Sequence, residues 1–177
     1  MTKWMEKLNK GTMSDVFKAL IERISSYQIF NFLYPGLLIT SVLGYKGVFS
    51  LDDMHIGFFL LFSYFAGMVA SRVGSIIIEE LLLWLEWINK PEYKRLNDAK
   101  QKENSPVTLQ LELCNMFRTL CASALLLLIV AFVQNFVPIG YNTSCTFDLA
   151  VFLIFVIFLI SFIKQYGYLN KCIEANL

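Results

Sequence analysis

Residues 56–88 read IGFFLLFSYFAGMVASRVGSIIIEELLLWLEWI, and this stretch decides the fold. It is apolar except for one cation and three carboxylates, all in its second half. An unbroken helix of this length would reach about 50 Å at ~1.5 Å per residue, whereas the hydrocarbon core of a bilayer is about 30 Å thick. The stretch therefore predicts a helix that spans a membrane and extends beyond it, unless it tilts strongly or bends near Gly74.

The extension should lie at the carboxyl end of this helix, because the carboxylates Glu79, Glu80 and Glu86 are there. Residues 81–88, LLLWLEWI, are still apolar around most of the helix, and helices of that kind are normally buried. We expect another segment of the chain, a second copy or a partner protein to cover them. The contact residues predicted in this extension are Trp84 and Trp87.

The composition of the chain is that of an integral membrane protein. Hydrophobic residues make up 56% and charged residues 16% of the 177, against about 45–50% and about 25% in soluble domains. The net charge of +1 creates no overall field that would favour nucleic acid or an acidic substrate. The lipid of the membrane is therefore the expected partner, and we expect no direct binding of nucleic acid.

Four long apolar stretches are present, and each approaches the ~20 residues that a spanning helix needs. They cover residues 29–49, 56–78, 117–137 and 147–166. In the first stretch the pair Pro35 and Gly36 should kink or break a helix, so we expect the span to begin at Pro35. Residues 27–34 would then form a separate interfacial piece. The predicted fold is an all-α polytopic membrane protein with four transmembrane helices in residues 29–177.

The distribution of Lys and Arg predicts the topology. These residues are concentrated in residues 1–28, in the connection 89–112 and in the carboxyl-terminal tail, whereas the other two connections contain only Lys46. Because cytoplasmic segments are enriched in Lys and Arg, both termini and the connection 89–112 should be cytoplasmic. No cleavable signal peptide is visible in the sequence.

Residues 1–28 form a separate cytoplasmic segment in this scheme, and an amphipathic helix is predicted to begin at Ser14. Its apolar side chains recur at helical spacing, with charged residues on the other face. Two interpretations are open. The helix lies on the inner membrane surface, or it packs over residues 81–88 of its own chain or of a neighbouring copy.

Small residues on the second span are spaced for close helix contacts. Gly67 and Ser71 are four residues apart, as are Ala70 and Gly74, and this spacing lets helices in lipid approach each other closely. The face could form the contact of a homo-oligomer, or it could pack on another helix of the same subunit.

Arg72 lies about 24 Å along the helix from Ile56, inside the inner part of the hydrocarbon. An unpaired charge that faces lipid there costs several kcal/mol. We expect Arg72 to extend to the interface or to pair with a carboxylate, either Glu79, seven residues on and on the same face, or Glu112. A role in gating, lipid head-group binding or signal relay is the alternative.

The connection 89–112 has mixed charges and few apolar residues, so it cannot form a core of its own. A short helix is predicted over residues 91–102, and the third long helix should start near Thr108. Glu112 and Asn115 share one face of that helix with Thr119, and Arg118 lies at the inner boundary.

Residues suited to catalysis or to a metal are sparse. His55 is the single histidine, and there is no glycine-rich phosphate loop and no serine nucleophile motif. The cysteines show neither ligand nor disulfide spacing: Cys114, Cys121, Cys145 and Cys172. We therefore predict no catalytic residue, no cofactor and no metal; intramembrane catalysis by Arg72 with Glu79 and Glu80 is the one enzymatic alternative.

Three segments resemble small four-span bacterial membrane proteins that recur in anti-phage defence loci: NFLYPG at residues 31–36, GMVASRVGSIIIEE at 67–80 and LELCNMFRTL at 111–120. The Kiwa membrane subunit and the small transmembrane accessory proteins of some CRISPR systems belong to this group. The resemblance implies a non-enzymatic component of the bacterial inner membrane that works with a cytoplasmic effector, as a homo-oligomer. The residues that carry it are Asn31, Pro35, Gly36, Arg72, Gly74, Glu79, Glu112, Asn115 and Arg118.

Two functions follow from these patterns. The first is a membrane-anchored scaffold or sensor whose inner face holds a soluble protein, since residues 81–88 need a cover. The second is a homo-oligomeric pore that depolarises the cell, with the small-residue face and Arg72 along its axis. A transporter is less well supported, because the sequence shows neither an inverted repeat nor a pair of broken helices.

Overall fold

The computed structural model describes residues 29–48, 55–102, 106–136 and 145–176. Six α-helices and two π-helical segments occur in these residues, and no strand is found among them. The helices are α1 (Tyr34–Tyr45), α2 (Ile56–Val73), α3 (Glu80–Trp84), α4 (Tyr93–Gln101), α5 (Val107–Phe136) and α6 (Cys145–Ala175). The π-helical segments, Ile29–Leu33 and Gly74–Glu79, directly precede α1 and α3. The amphipathic helix predicted from Ser14 lies outside the described residues.

Three helices are long and apolar enough to cross a membrane: Ile56–Trp84, Val107–Val133 and Phe147–Ala175, of 29, 27 and 29 residues. The prediction of an all-helical protein with membrane-spanning helices is confirmed to this extent. The prediction of four spans depends on α1, which is shorter than the other three.

The first apolar stretch differs from its predicted form. Pro35 does not separate two pieces, because the π-helical turn Ile29–Leu33 continues directly into α1. Pro35 stands in the first turn of α1, and its fixed φ suits a helix. Together the two segments reach about 25 Å at ~1.5 Å per residue.

Four elements form an antiparallel bundle: α1 with its preceding π-helical turn, α2 with the segments that extend it to Trp84, α5 and α6. At one end Lys46, which follows α1, lies 3.3 Å from Asp148 in the first turn of α6, measured from Nζ to Oδ1. The Tyr45 and Phe147 rings stack beside this ion pair with centroids 6.3 Å apart. The start of α2 and the end of α5 are at this same end, so α2 and α6 run away from it while α1 and α5 run towards it.

α5 and α6 share the most extensive contact in the bundle. The fully buried side chains between them include Cys121 and Phe162, and Gln165 donates a hydrogen bond to Gln110. In contrast, α6 exposes a continuous apolar face, which is the surface expected to meet lipid. Its members are Leu149, Phe152, Leu153, Ile154, Ile157 and Ile160.

The second span ends earlier than predicted. Instead of continuing to Ile88 and stopping at Pro91, the helix ends at Trp84 in a Schellman motif. Glu86 has a left-handed backbone with φ of 59°, and the N–H groups of Glu86 and Trp87 bond to the carbonyls of Leu83 and Leu82 at 3.1 and 3.0 Å. Glycine is the usual residue at this left-handed position, so a glutamate there does not signal a helix end in the sequence.

Residues 85–102 fold back onto the bundle, and we call these residues together with Trp84 the end platform. The predicted short helix is confirmed as α4, which packs on α5 and α6. Ile88 and Ala99 are 4% and 0% exposed and belong to the same core as Leu169 and Ile173. The Asn170 amide also donates to the Asn89 carbonyl at 2.9 Å. The end platform therefore shares the core of the bundle instead of forming one of its own.

Candidate functional site

A buried ion pair lies near the end-platform side of the bundle. The Arg118 guanidinium on α5 donates through Nη1 to Oε2 of Glu79, the last residue of the second π-helical segment. The two side chains are only 15% and 11% exposed. Lys90 of the end platform adds a second cation, with its Nζ 3.8 Å from Oε1 of Glu79, but its side chain is 64% exposed. Through these two ion pairs, Glu79 links the second span to α5 and to the end platform.

Gly74 allows α5 to approach at this level. A Cβ on Gly74 would lie 3.1 Å from both Cγ and the carbonyl oxygen of Arg118, and 3.3 Å from Cβ of Ala122. These separations are tighter than ordinary van der Waals contacts, so a side chain here would push on the residue that carries the buried guanidinium. In the structure Gly74 thus serves a contact within one chain.

The other predicted small-residue positions also face neighbours in the same chain. A Cβ on Gly67 would lie 1.7 Å from the carbonyl oxygen of Phe32, and Ala70 is fully buried. On the facing α1, which was not part of that prediction, a Cβ on Gly36 would lie 1.7 Å from the carbonyl oxygen of Ser63. Ser71 is 8% exposed. A homo-oligomer contact through this face stays a prediction.

Among the described residues Arg72 pairs with neither of the carboxylates expected for it, and its extension to the interface stays a prediction. Arg72 is exposed, and among the described residues no carboxylate lies within ion-pair distance of it. Glu79 is paired with Arg118 instead. The reason is the π-helical segment Gly74–Glu79 between the two residues: a π-helix has more residues per turn, so seven residues no longer complete two turns. Arg72 and Glu79 consequently no longer share one face of the helix.

An open groove of about 480 Å³ lies beside the ion pair. Its polar lining consists of Asn31, Ser71, Arg72, Ser75 and Arg118, and the rest is apolar. Two guanidinium groups but no carboxylate line it. The groove therefore combines apolar lining residues with an excess of positive charge.

Polar side chains continue along the bundle interior. The Thr119 hydroxyl lies 3.0 Å from Oδ1 of Asn31 and 2.8 Å from the carbonyl oxygen of Asn115. The hydroxyl oxygens of Thr40 and Ser63 are 2.8 Å apart and fully buried between α1 and α2. Such pairs fix helix positions in lipid, where each hydrogen bond contributes about 0.6–2 kcal/mol.

Several of these polar residues were not predicted as site residues, namely Asn31, Thr40, Ser63, Thr119 and Lys90. Two of them could be recognised in the sequence. Asn31 is an amide inside an apolar stretch, which has to find a hydrogen-bond partner in lipid, and Thr119 shares a helix face with Glu112 and Asn115. The predicted residues Glu112 and Asn115 are both half-buried on α5, and Glu112 takes part in no ion pair among the described residues.

The predicted contact residues Trp84 and Trp87 flank the Schellman turn. They are 78% and 57% exposed, and Tyr93 at the start of α4 is 78% exposed. Leu82 and Ile88 in the same stretch are instead buried at 2% and 4%. Part of residues 81–88 is thus covered by the chain itself, and the aromatic side chains remain on the outside of the end platform.

Possible metal ligands do not gather in the part of the chain that the structure describes, where no three His, Cys, Asp or Glu side chains lie together. Cys114 and Cys121 are buried as free thiols on α5, and Cys172 is a half-buried free thiol on α6.

No family model, no curated protein and no solved structure matches the chain. The residues themselves are therefore the basis for a functional assignment.

Proposed function

We propose that this protein is a non-enzymatic subunit of the bacterial inner membrane that binds a soluble cytoplasmic effector on its end platform. It serves this effector either as a membrane anchor or as a sensor. The observation that carries the proposal is the exposed aromatic side chains of the end platform, whose inner side packs into the core of the bundle. The resemblance of three sequence segments to membrane proteins of anti-phage loci supports an effector of such a defence system as the partner. In this proposal both termini are cytoplasmic, and α1 is the fourth, shortest span.

The inner side of the end platform is fixed to the bundle. It contributes Ile88 and Ala99 to the core, next to Val107 at the start of α5, all at 4% exposure or less. A surface that is already ordered loses little conformational entropy when a partner binds.

The outer side of the end platform has the composition of a contact surface. Trp84, Trp87 and Tyr93 are exposed next to the basic residues Lys94 and Arg95. Trp, Tyr and Arg are enriched in protein interfaces and carry much of their binding energy. Trp and Tyr also anchor helices at the membrane surface, so a test has to separate docking from anchoring.

Replacing Trp84 and Trp87 together by alanine is expected to reduce partner recovery at least about tenfold, since buried interface tryptophans contribute about 2 kcal/mol or more each. The measurement is purification of the tagged chain, expressed with its neighbouring genes, in a gentle detergent, followed by mass determination of the intact complex. The variant should still be found in the membrane fraction.

A Phe65→Ala variant is the matched control, because Phe65 is 54% exposed on α2 but far from the end platform. It should leave recovery unchanged. Full recovery of the partner with the double variant would contradict docking at the end platform. Loss of the variant chain from the membrane would instead assign the tryptophans to anchoring.

The alternative function, a homo-oligomeric pore, is favoured by one observation, the exposed guanidinium of Arg72 on the side of the bundle. In an assembly around this side, Arg72 would line the central axis, and Arg72→Leu should weaken depolarisation of cells that express the protein. Depolarisation as strong as that of the wild type, measured with a potential-sensitive dye, would argue against a pore.

A further inference from the structure

The groove beside Arg72 has an uneven chemical lining. Asn31, Ser71 and Ser75 contribute an amide and two hydroxyls to the lining, and Arg72 and Arg118 contribute guanidinium groups. The other lining residues are apolar and include exposed side chains of the second span, with Val69 59% and Ile76 69% exposed. A ligand of this groove would therefore have a polar, anionic part and an apolar part.

Both guanidinium groups have unused donors. Arg72 has no carboxylate within ion-pair distance among the described residues. Arg118 uses Nη1 for Glu79, while its buried Nε has no hydrogen-bond partner in the described part of the chain. The exposed guanidinium of Arg72 can therefore bind an anion in the groove through charge-assisted hydrogen bonds.

The depth of the groove favours a phosphate at the membrane surface. Arg72 follows Ile56 by sixteen residues, about 24 Å along α2, and an arginine at that depth extends towards the nearest head groups. Guanidinium groups bind phosphate oxygens through paired hydrogen bonds, which an ammonium group cannot reproduce.

We propose that this groove binds the phosphate group of an anionic phospholipid, with the phosphate between Arg72 and Arg118 and an acyl chain along Met68 and Val69, which line the groove on the side of Arg72 towards Ile56. The inference does not depend on the proposed function, because it concerns the side of the bundle and not the end platform. The chemistry that is recognised is a phosphate anion, and the apolar lining favours a lipid over free phosphate as its source.

The test compares lipid binding by wild-type protein and an Arg72→Gln variant in detergent, by native mass spectrometry with added dioleoyl phosphatidylglycerol or dioleoyl phosphatidylcholine. The wild type should retain phosphatidylglycerol in preference to phosphatidylcholine. Arg72→Gln should lower that retention about tenfold or more, as expected for a charge-assisted contact to phosphate. Arg72→Lys, which keeps the charge but loses the paired hydrogen bonds, should retain an intermediate amount.

Arg95→Gln is the matched control, because Arg95 is a 64% exposed arginine on the surface that pairs with Glu92 and does not line the groove. It should bind lipid as the wild type does. Equal retention by Arg72→Gln and wild type, or no preference for phosphatidylglycerol in the wild type, would overturn the proposal. Displacement of the lipid by millimolar inorganic phosphate would support a phosphate site but overturn lipid as its source.

Discussion

Replacing Glu79 by glutamine is expected to destabilise the folded bundle by about 3–5 kcal/mol. The substitution preserves the shape of the side chain but removes the negative charge opposite Arg118, whose side chain is only 15% exposed. A guanidinium left without a counter-ion in the interior bears the full cost of its lost hydration. Lys90 cannot change this result, because it is another cation and is largely exposed.

The measurement is denaturant-induced unfolding in detergent micelles, followed by tryptophan fluorescence. Arg118→Met in the Glu79→Gln background should recover much of the loss, because a buried ion pair can be replaced by apolar groups at little cost. Glu80→Gln is the control: Glu80 is the exposed neighbour, so its effect should stay within about 0.5 kcal/mol. If the effects of the Glu79 and Arg118 substitutions simply add, the two residues are not coupled.

The second large effect is expected from an alanine at Gly67 or Gly36. At both positions the new Cβ would lie 1.7 Å from a backbone carbonyl oxygen, that of Phe32 or of Ser63. A backbone atom cannot rotate away as a side chain can, so α1 and α2 have to move apart. Overpacking of this kind costs about 3 kcal/mol or more. It would also separate the hydroxyls of Thr40 and Ser63, which are 2.8 Å apart.

Gly167→Ala is the control for both glycine variants. Gly167 lies within α6, and a Cβ there would meet no atom within 4 Å. Alanine should therefore raise stability by about 0.5–1 kcal/mol through its better helix propensity. The comparison uses the same unfolding measurement. A Gly67→Ala variant as stable as Gly167→Ala would show that α1 does not pack on α2 as described.

Hydropathy and length were sufficient to predict the helices that meet no special backbone feature. α5 begins at Val107, one residue before its predicted start, and α4 lies inside the predicted residues 91–102. The two differences occur where the backbone departs from the α-helix. The π-helical turn before Pro35 keeps the first stretch continuous, and the left-handed Glu86 ends the second span early. Neither feature has a distinctive side-chain pattern.

The sequence singled out residues of the candidate site, but it did not show which of them pair with each other. Glu79 and Arg118 were both expected to matter, yet they are 39 positions apart and meet only through the packing of α2 on α5. Pairing of Arg72 with Glu79 was one of the expected alternatives, and it assumed a regular helical period. The π-helical segment changes that period, and so it separates the two residues and leaves Arg72 in the groove.

The shortness of α1 has a consequence for the surrounding lipid. With its preceding π-helical turn it is about 25 Å long, whereas its three neighbours have 27 to 29 residues. With α1 in the bilayer, one flank of the molecule matches a thinner membrane than the other. Hydrophobic mismatch costs fractions of a kcal/mol per Å, so the lipid beside α1 would have to thin locally. The protein would then partition towards thin regions of the membrane, or towards other copies that present the same short flank.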